Sequence, residues 1–252
     1  MDFDPVPRRS LPDAVFEQLL EQIFRGKLEA GTRLPSERRL CELLGVNRGA
    51  VREALKRLSQ AGLLSVQHGG GNRIRDYRKD GGLDLLPHLL FRGGTRVDHE
   101  VARSVMEMRG ALAPEMAARC AERSGVHVHQ RLEQVLARLV DAGDDLDARQ
   151  LLSLDLWDAI ADGANNIAYR LAFNTLSDTY NHVRVLLAQA LAEELCADDL
   201  YRELVGAIDG GDPASARKAA AAITQLGSEG VSALLELLAG SIPSRRPDPQ
   251  ES

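Results

Sequence analysis

Apolar residues recur at helical spacing in three successive segments near the start of the chain. The first segment covers residues 11–26, and the second begins at the N-cap candidate Ser36 and stops at Gly45. The third begins at Asn47, another good N-cap, and stops at Gly62. Its apolar positions follow the i, i+3, i+4, i+7 spacing of one buried face: Val51, Ala54, Leu55 and Leu58. The pattern therefore predicts three short amphipathic helices.

Two strand-like runs follow the third helix. They are LLSVQ and NRIRDY, and the glycine-rich HGGG between them is typical of a hairpin turn. Three helices followed by a β-hairpin is the element order of a winged helix-turn-helix, in which the hairpin is the wing. We assign this domain to residues 1–80.

From residue 81 onward the pattern is helical almost without interruption, with no alternating strand pattern. Residues 81–98 contain the short amphipathic piece LDLLPHLLF and are predicted to be a linker with a short helix. Longer helices are predicted over about residues 99–122, 128–142, 147–162, 166–193, 198–208 and 213–239. The predicted fold is therefore mainly α, with an all-α antiparallel helical bundle over residues 99–240. The Pro-rich tail, residues 241–252, is predicted to be disordered.

The two predicted domains differ in charge. Residues 1–80 hold 15 Lys and Arg against 11 Asp and Glu, whereas the remaining 172 residues hold 16 against 26. The positive charge of the N-terminal domain favours a polyanionic partner, whereas the negative charge of the remaining residues does not. Together with the helix-turn-helix order, this asymmetry indicates double-stranded DNA as the partner of residues 1–80.

Cysteine usage and hydropathy indicate the compartment. Cys41, Cys120 and Cys196 are odd in number and widely spaced, which is typical of reduced thiols rather than of a disulfide framework. No run approaches the ~18 apolar residues that a membrane span needs, and the acidic start lacks the apolar region of a signal peptide. We predict a cytoplasmic protein with no membrane partner.

The first turns of the third helix carry the candidates for base contact. Opposite the buried stripe lie Asn47, Arg48, Gly49 and Arg52. Arg pairs bidentately with guanine in the major groove, and Asn pairs with adenine. The small residues Gly49 and Ala50 allow a close approach of the helix to the bases.

Two further regions complete the predicted interface. Ser36 and Arg38 lie at the N-terminus of the second helix, where free backbone N–H groups also attract a phosphate. The wing offers His68 and bare glycine backbone for a narrow minor groove or its phosphates. Lys56 and Arg57 lie further along the third helix and are predicted to be ordinary solvated charges.

A long run, LEAGTRLPSERRLCELLGVNRGAVREALKRLSQAGLLSVQHGGGNRI, resembles the DNA-binding domain of the GntR family of bacterial transcription regulators, and the resemblance covers residues 10–76. The helical remainder, with GGLDLL, VMEMRGALAP and LAFNTLSDTYNHVR, is similar to the FadR subfamily, in which an all-α effector domain follows the wing. Position by position, the resemblance implies DNA contacts from Arg38, Asn47, Arg48, Gly49, Ala50, Arg52, His68 and Gly69. The family often has Ser or Thr at position 47, so Asn47 departs from its pattern at a contact position.

The resemblance also implies an effector site in the helical body. It implies that Arg109 reaches into a ligand cavity to meet an anionic group, whereas a surface or ion-paired Arg is the alternative. Residues 166–188 add aromatic and polar candidates: Tyr169, Asn174, Tyr180, Asn181 and Arg184. Asn174, Asn181 and Arg184 share one side of a helix at i, i+7 and i+10, which fits either a cavity lining or a solvated stripe.

Many FadR-like domains of the FCD type bind a metal through an Asp and three His. The corresponding segment here, LLSLDLWDAIADGANN, contains Asp155 and Asp158. At the positions of the family's histidines the chain has Trp157 or Asp158, then Tyr201, then Ile223 or Gln225. Because Tyr, Ile and Gln are poor ligands for a transition metal, we predict no metal and no cofactor. His127 and His129, at a helix start, are predicted to be surface residues.

These observations predict a ligand-responsive transcription regulator. We expect a repressor that binds a short pseudo-palindromic operator as a homodimer and responds to a small organic anion such as a fatty acyl-CoA. One alternative is a metal-dependent, carboxylate-sensing FCD-type regulator, and another is a helical enzyme fused to a DNA-binding module. The sequence has no nucleophile elbow, phosphate loop or paired His–Cys arrangement, so the chain is predicted not to be an enzyme.

Overall fold

The computed structural model describes residues 10–67, 71–92 and 96–240. Contacts divide the chain into two compact units, Met1–Val101 and Ala102–Ser252. The first unit begins with helices α1 (Leu11–Phe24), α2 (Glu37–Leu44) and α3 (Arg48–Gln60) and strands β1 (Leu64–Gln67) and β2 (Gly71–Ile74). The strands pair antiparallel, with Leu64 opposite Ile74. The predicted winged helix-turn-helix is confirmed.

The core of the first unit joins α1 to α3. On α3 the predicted apolar stripe is buried, and Val51 and Leu58 are fully enclosed. On α1 the opposing face includes Phe16 and Leu20. Each fully buried aliphatic or aromatic side chain contributes about 1.5–3 kcal/mol, so these contacts hold the first turn of α3 in a fixed position at the surface.

Local signals set the ends of α2 and α3 as predicted. The Ser36 hydroxyl accepts a hydrogen bond from the backbone N–H of Arg39, and Oδ1 of Asn47 accepts one from the N–H of Ala50. Gly45 ends α2 with φ of 65°, in the left-handed region that favours glycine. The turn between the two helices therefore follows from the sequence itself.

The segment after the wing is more structured than predicted. It contains helix α4 (Tyr77–Asp80), a 3₁₀ turn (Leu83–Leu85), helix α5 (Leu86–Leu90) and the paired strands β3 (Phe91–Arg92) and β4 (Arg96–Val97). The sequence has no alternating strand pattern after residue 80, because two-residue strands are too short to show alternation. The short helix in the predicted linker is present as α5.

The second unit is helical. Helix α6 (His99–Arg123) runs into it from the first unit and is followed by α7 (Val126–Asp141), α8 (Leu146–Gly163), α9 (Ile167–Leu187), α10 (Ala192–Leu195), α11 (Asp198–Asp209) and α12 (Pro213–Gly240). Its core is built from residues such as Met116, Leu132, Leu156, Ile160 and Tyr201. The fold is mainly α, as predicted. None of the described helices is long and apolar enough to cross a membrane.

The prediction of one continuous helix over residues 166–193 was wrong. Helix α9 ends at Leu187, and α10 begins only at Ala192. The intervening sequence contains no Gly or Pro that would stop a helix. Tertiary contacts lie on both sides of α10: the carbonyl oxygen of Ala190 packs on Gly230, and the buried guanidinium of Arg149 donates to the carbonyl oxygen of Leu195 at 2.8 Å and to Asp198 at 2.7 Å.

The two cysteines of the second unit should differ in reactivity. Cys120 is buried, and burial raises the pKa of its thiol to about 11, whereas Cys196 is exposed. Because only the thiolate is nucleophilic, we expect iodoacetamide at pH 8 to alkylate Cys196 in the folded protein and Cys120 only after unfolding. Peptide mass spectrometry of native and denatured samples measures both sites. Equal alkylation of the two in the folded protein would contradict this prediction.

Candidate DNA interface and buried polar site

The first turn of α3 places two arginines at the surface. The side chains of Arg48 and Arg52 are 73% and 67% exposed, on the side of the helix opposite Val51 and Leu58. Both reach back to Glu37, the first residue of α2: Nε of Arg48 lies 3.1 Å and Nε of Arg52 3.4 Å from its Oε2. Their guanidinium groups are therefore held side by side and remain open to solvent.

Glu37 is a residue that the sequence reasoning missed. An acidic residue in the first turn of a helix is ordinarily explained by the helix dipole. In the structure the hydrogen bond from Arg48 is the main cause that lowers the pKa of the Glu37 carboxyl, and the charge of Arg52 adds to it. Glu37 thus positions both predicted base-reading arginines, and it is the group that DNA would have to displace or share.

The other predicted DNA contacts differ in their placement. Asn47 uses its oxygen to cap α3, so with the cap intact only its amide N–H₂ is available to a base. A Cβ at Gly49 would lie 3.3 Å from that oxygen, so Gly49 leaves room for the cap. Ala50 is buried and faces the core rather than the outer side. Arg38 is highly exposed, with Glu42 at 3.6 Å. His68 and Gly69 lie outside the described residues.

Arg57 does not behave as the solvated charge that was predicted. Its Nη1 lies 2.5 Å from Oδ1 of Asp13, and its guanidinium stacks over the ring of Phe16 at 4.2 Å from the centroid. It therefore joins α3 to α1. Lys56, one residue earlier, is exposed as predicted.

We expect replacement of Glu37 by glutamine to raise the affinity for non-specific DNA. The substitution removes one negative charge beside Arg48 and Arg52 and frees both to reach phosphates, so the gain should be roughly threefold at low salt and vanish at high salt. Fluorescence polarisation with random-sequence duplex measures it. Glu21→Gln, the same charge change at an ion pair with Arg25 on α1, serves as the control. An unchanged affinity would show that Glu37 does not restrain the arginines.

A buried ion pair lies in the second unit. Arg109 of α6 makes a bidentate pair with Glu194 of α10; Nη1 donates to Oε2 at 2.9 Å, and Nη2 donates to Oε1. The side chain of Glu194 is only 3% exposed and that of Arg109 is 24% exposed. Burial alone would lower the pKa of the Arg109 guanidinium, but the Glu194 carboxylate outweighs burial and raises it. Arg109 is therefore ion-paired inside the unit.

Two tyrosines lie near this pair, and a buried amide lies beside one of them. Burial and the nearby Glu194 carboxylate raise the pKa of Tyr180 to about 12. The same causes raise the pKa of Tyr201, whose hydroxyl lies 3.0 Å from the Ser153 hydroxyl. Gln150 is fully buried; its amide nitrogen donates to a backbone carbonyl, and its oxygen has no hydrogen-bond partner within the described ranges. The interior of this unit is thus polar around Arg109.

The remaining predicted effector residues are divided between interior and surface. Tyr169 packs against the core, and the backbone carbonyl of Arg184 accepts the hydrogen bond from Gln150. Asn174 and Asn181 are exposed, so these two belong to the solvated side of α9 rather than to the polar interior. The structure brings Tyr180 to the Arg109 pair. Ser153, Gln150 and Glu194 were not found from the sequence because nothing local distinguishes them from other helical polar residues.

The residues around Asp155 do not form a donor set for a transition metal. Asp155 is exposed. Asp158 is occupied by two guanidiniums, with Nη2 of Arg131 at 2.7 Å and Nη1 of Arg170 at 2.6 Å. At the positions compared above with the family's later histidines, the chain has a buried tyrosine and either a buried isoleucine or an exposed glutamine. Among the residues that the structure describes, no group of three or more His, Cys, Asp or Glu side chains could hold a metal ion.

One predicted surface histidine proves to be a link between helices. Nδ1 of His129 lies 3.0 Å from Oδ1 of Asp209 on α11, and its Nε2 lies 2.8 Å from the Ser124 hydroxyl. The prediction for His129 was therefore wrong, whereas His127 is exposed as predicted.

Comparisons with known proteins agree with this division. The gntR family of bacterial regulatory proteins matches residues 11–74, and the FCD domain matches residues 104–226. The HTH-type transcriptional regulator Mce2R of Mycobacterium tuberculosis is 42% identical over 235 residues, which are 93% of this chain and 97% of that protein. The fatty acid metabolism regulator protein of Serratia proteamaculans is 32% identical over 168 residues, 66% of this chain and 68% of that one.

A solved structure shares the fold. Lar of Listeria monocytogenes superposes with a TM-score of 0.57 at 17% identity, covering 90% of this chain and 99% of that one. The two family matches make the first unit the DNA-binding domain of a helix-turn-helix transcription regulator and the second a FadR-like effector domain. The chain belongs to the GntR family of bacterial regulatory proteins. Membership implies DNA as one partner and a small-molecule effector as the other.

Proposed function

We propose that this regulator is a repressor that binds a short pseudo-palindromic operator as a homodimer in the cytoplasm and is controlled by a small organic anion, such as a fatty acyl-CoA. One observation carries the DNA part of the proposal. Arg48 and Arg52 stand side by side and exposed on the first turns of α3, the part of a recognition helix that contacts base edges.

The shape of the helix supports base reading by these arginines. Arg forms bidentate pairs with guanine in the major groove, which requires a guanidinium that projects free of the protein. The buried stripe of α3 fixes the helix, and Glu37 holds both guanidiniums near one another. Two copies of this surface, related by a two-fold axis, would read two half-sites, which explains why we propose a homodimer.

The effector part of the proposal rests on Arg109 and on one relative. Arg109 lies in the interior of the second unit among Glu194, Tyr180 and Tyr201, where a guanidinium can meet an acid group. The relative from Serratia proteamaculans is named a fatty acid metabolism regulator. Ligand binding would then shift the population between DNA-binding and non-binding states. Because the donor set near Asp155 does not fit a metal, we do not extend the proposal to a metal-dependent sensor.

Gel-shift and fluorescence-polarisation assays with DNA from upstream of the protein's own gene test this function. We expect sequence-selective, salt-sensitive binding that palmitoyl-CoA or palmitate weakens, with a scrambled duplex as control. Analytical ultracentrifugation of the free protein and of its DNA complex tests the dimer. Binding that is equal for all duplexes would refute operator recognition, and a monomer on a complete operator would refute the dimer.

A further inference from the structure

Glu194 occupies the position that an acidic ligand would take on Arg109. Its two carboxylate oxygens accept from both terminal nitrogens of the guanidinium, which is the geometry of a bound carboxylate. The side chain is almost completely buried. The guanidinium proposed to meet the effector is therefore already satisfied by the protein's own chain, and an anionic ligand has to replace that carboxylate.

Helix α12 is shaped to accept this carboxylate. A Cβ at Gly227 would overlap Oε2 of Glu194 and lie 2.9 Å from Nη1 of Arg109. A Cβ at Gly230, one turn further, would overlap the backbone carbonyl oxygen of Ala190. The chain from residue 190 to residue 194 therefore lies directly against a surface of α12 that bears no side chains, and it depends on that surface for its position.

A buried acceptor on the side chain next to Tyr180 has no donor among the described residues. The side-chain oxygen of Gln150 is fully buried and has no hydrogen-bond partner among the described residues. Gln150 belongs to the group of side chains that surrounds Tyr180, which also interacts with Glu194 and Arg109. An unsatisfied buried acceptor costs free energy and calls for a donor, which an oxyanion by itself does not supply.

The segment that carries Glu194 is short and is separated from the neighbouring helices by turns. Helix α10 has four residues, and the chain is non-helical on both sides of it. Its far end is held by Arg149, which donates to Leu195 and Asp198. Its near end, at Ala190, is held by packing on Gly230. Removing Glu194 from Arg109 would leave the segment held only at these two points.

We infer that Glu194 is a built-in surrogate for the effector: the oxyanion of the ligand replaces the Glu194 carboxylate on Arg109, and helix α10 is released from α12. The inference rests on the proposed anionic effector and names how that site is regulated. The exchange converts ligand binding into a change in the packing of α10 and gives the ligand-free state a defined, closed arrangement.

Acetate rescue tests the exchange without knowledge of the effector. Glu194→Ala removes a fragment the size of acetate, so acetate should fill the space, bind Arg109 and raise the Tm of this variant by roughly 2–4 °C in a saturable manner. Chloride at equal ionic strength should not. The neighbouring Glu193→Ala is the control, because Glu193 is exposed on the same short helix. Arg109→Met combined with Glu194→Ala should abolish the response. Absence of an acetate-specific rise would overturn the inference.

Titration calorimetry with palmitate and palmitoyl-CoA is the second test of the exchange. Glu194→Gln keeps the shape of the side chain but no longer competes as an anion, so it should bind whichever probe the wild type binds about tenfold more tightly. Glu193→Gln should match the wild type. Equal affinities of Glu194→Gln and wild type for a probe that binds would overturn the exchange. If neither probe binds either protein while acetate rescues Glu194→Ala, Arg109 accepts a carboxylate in the place of Glu194 and the fatty acyl effector is refuted. Palmitate carries a free carboxylate and palmitoyl-CoA carries the phosphate groups of coenzyme A, so the probe that binds shows which acid group Arg109 takes.

Discussion

Replacement of Arg48 or Arg52 by alanine is expected to weaken operator binding by about 1–3 kcal/mol each, which is roughly 5- to 150-fold. The reason is geometric. Both guanidiniums project from the first turns of α3 beyond a buried apolar stripe, so each can form a bidentate pair with a base edge. Their removal also leaves the Glu37 carboxylate with fewer cations beside it, and this charge would then face the DNA phosphates.

Polarisation titrations against operator and scrambled duplexes at several salt concentrations measure the effect. Lys56→Ala, which removes an exposed cation of the same helix, should weaken both duplexes equally and only slightly. If Arg48→Ala or Arg52→Ala lowers the affinity for operator and scrambled DNA by the same factor, the arginine contacts phosphates and reads no base. The ratio of the two affinities, rather than either affinity, therefore decides its role.

Gly230→Ala is expected to destabilise the second unit by about 1–3 kcal/mol, the range for overpacking. In an exposed helix, alanine ordinarily stabilises relative to glycine by about 0.5–1 kcal/mol. At Gly230 the new Cβ would overlap the carbonyl oxygen of Ala190, a backbone atom that cannot rotate away. The chain before α10 would have to separate from α12, and the helix propensity cannot compensate for that loss of packing.

Gly206→Ala provides the matched control for this prediction. Gly206 also lies inside a helix, α11, and a Cβ there would meet no atom within 4 Å. We expect Gly206→Ala to stabilise the protein slightly, so the two identical substitutions should have opposite signs. Urea unfolding followed by circular dichroism gives both free energies of unfolding. Stabilisation by Gly230→Ala would show that α12 and residue 190 are not in close contact.

The candidate DNA interface and the Arg109 site share one feature. In each, the arginine proposed to bind a ligand is paired with a carboxylate of the same chain: Arg48 and Arg52 with Glu37, and Arg109 with Glu194. The first pairing is exposed and would be exchanged for DNA at small cost, because surface ion pairs contribute little. The second is buried, so its exchange requires a ligand that replaces the carboxylate closely.

Much of the DNA-binding unit could be predicted because its signals are local. Ser36, Gly45 and Asn47 each act on the backbone within a few residues, and the apolar spacing of α3 identifies its buried face without knowledge of any partner. Once the buried face of α3 is known, the arginines on its opposite side can be predicted to be exposed. Glu37 could not be found in this way, because its contact with Arg52 joins residues 15 positions apart on two helices.

In the second unit, the sequence by itself determined that the chain is helical and, through its resemblance, that Arg109 belongs to the effector domain. Only the tertiary structure decided that α9 stops at Leu187, that Glu194 pairs with Arg109, and that Asn174 and Asn181 remain at the surface. The physical reason is distance along the chain. Helix formation depends on neighbours within four residues, whereas the ion pair joins residues 85 positions apart and exists only once α6, α10 and the glycines of α12 have packed together.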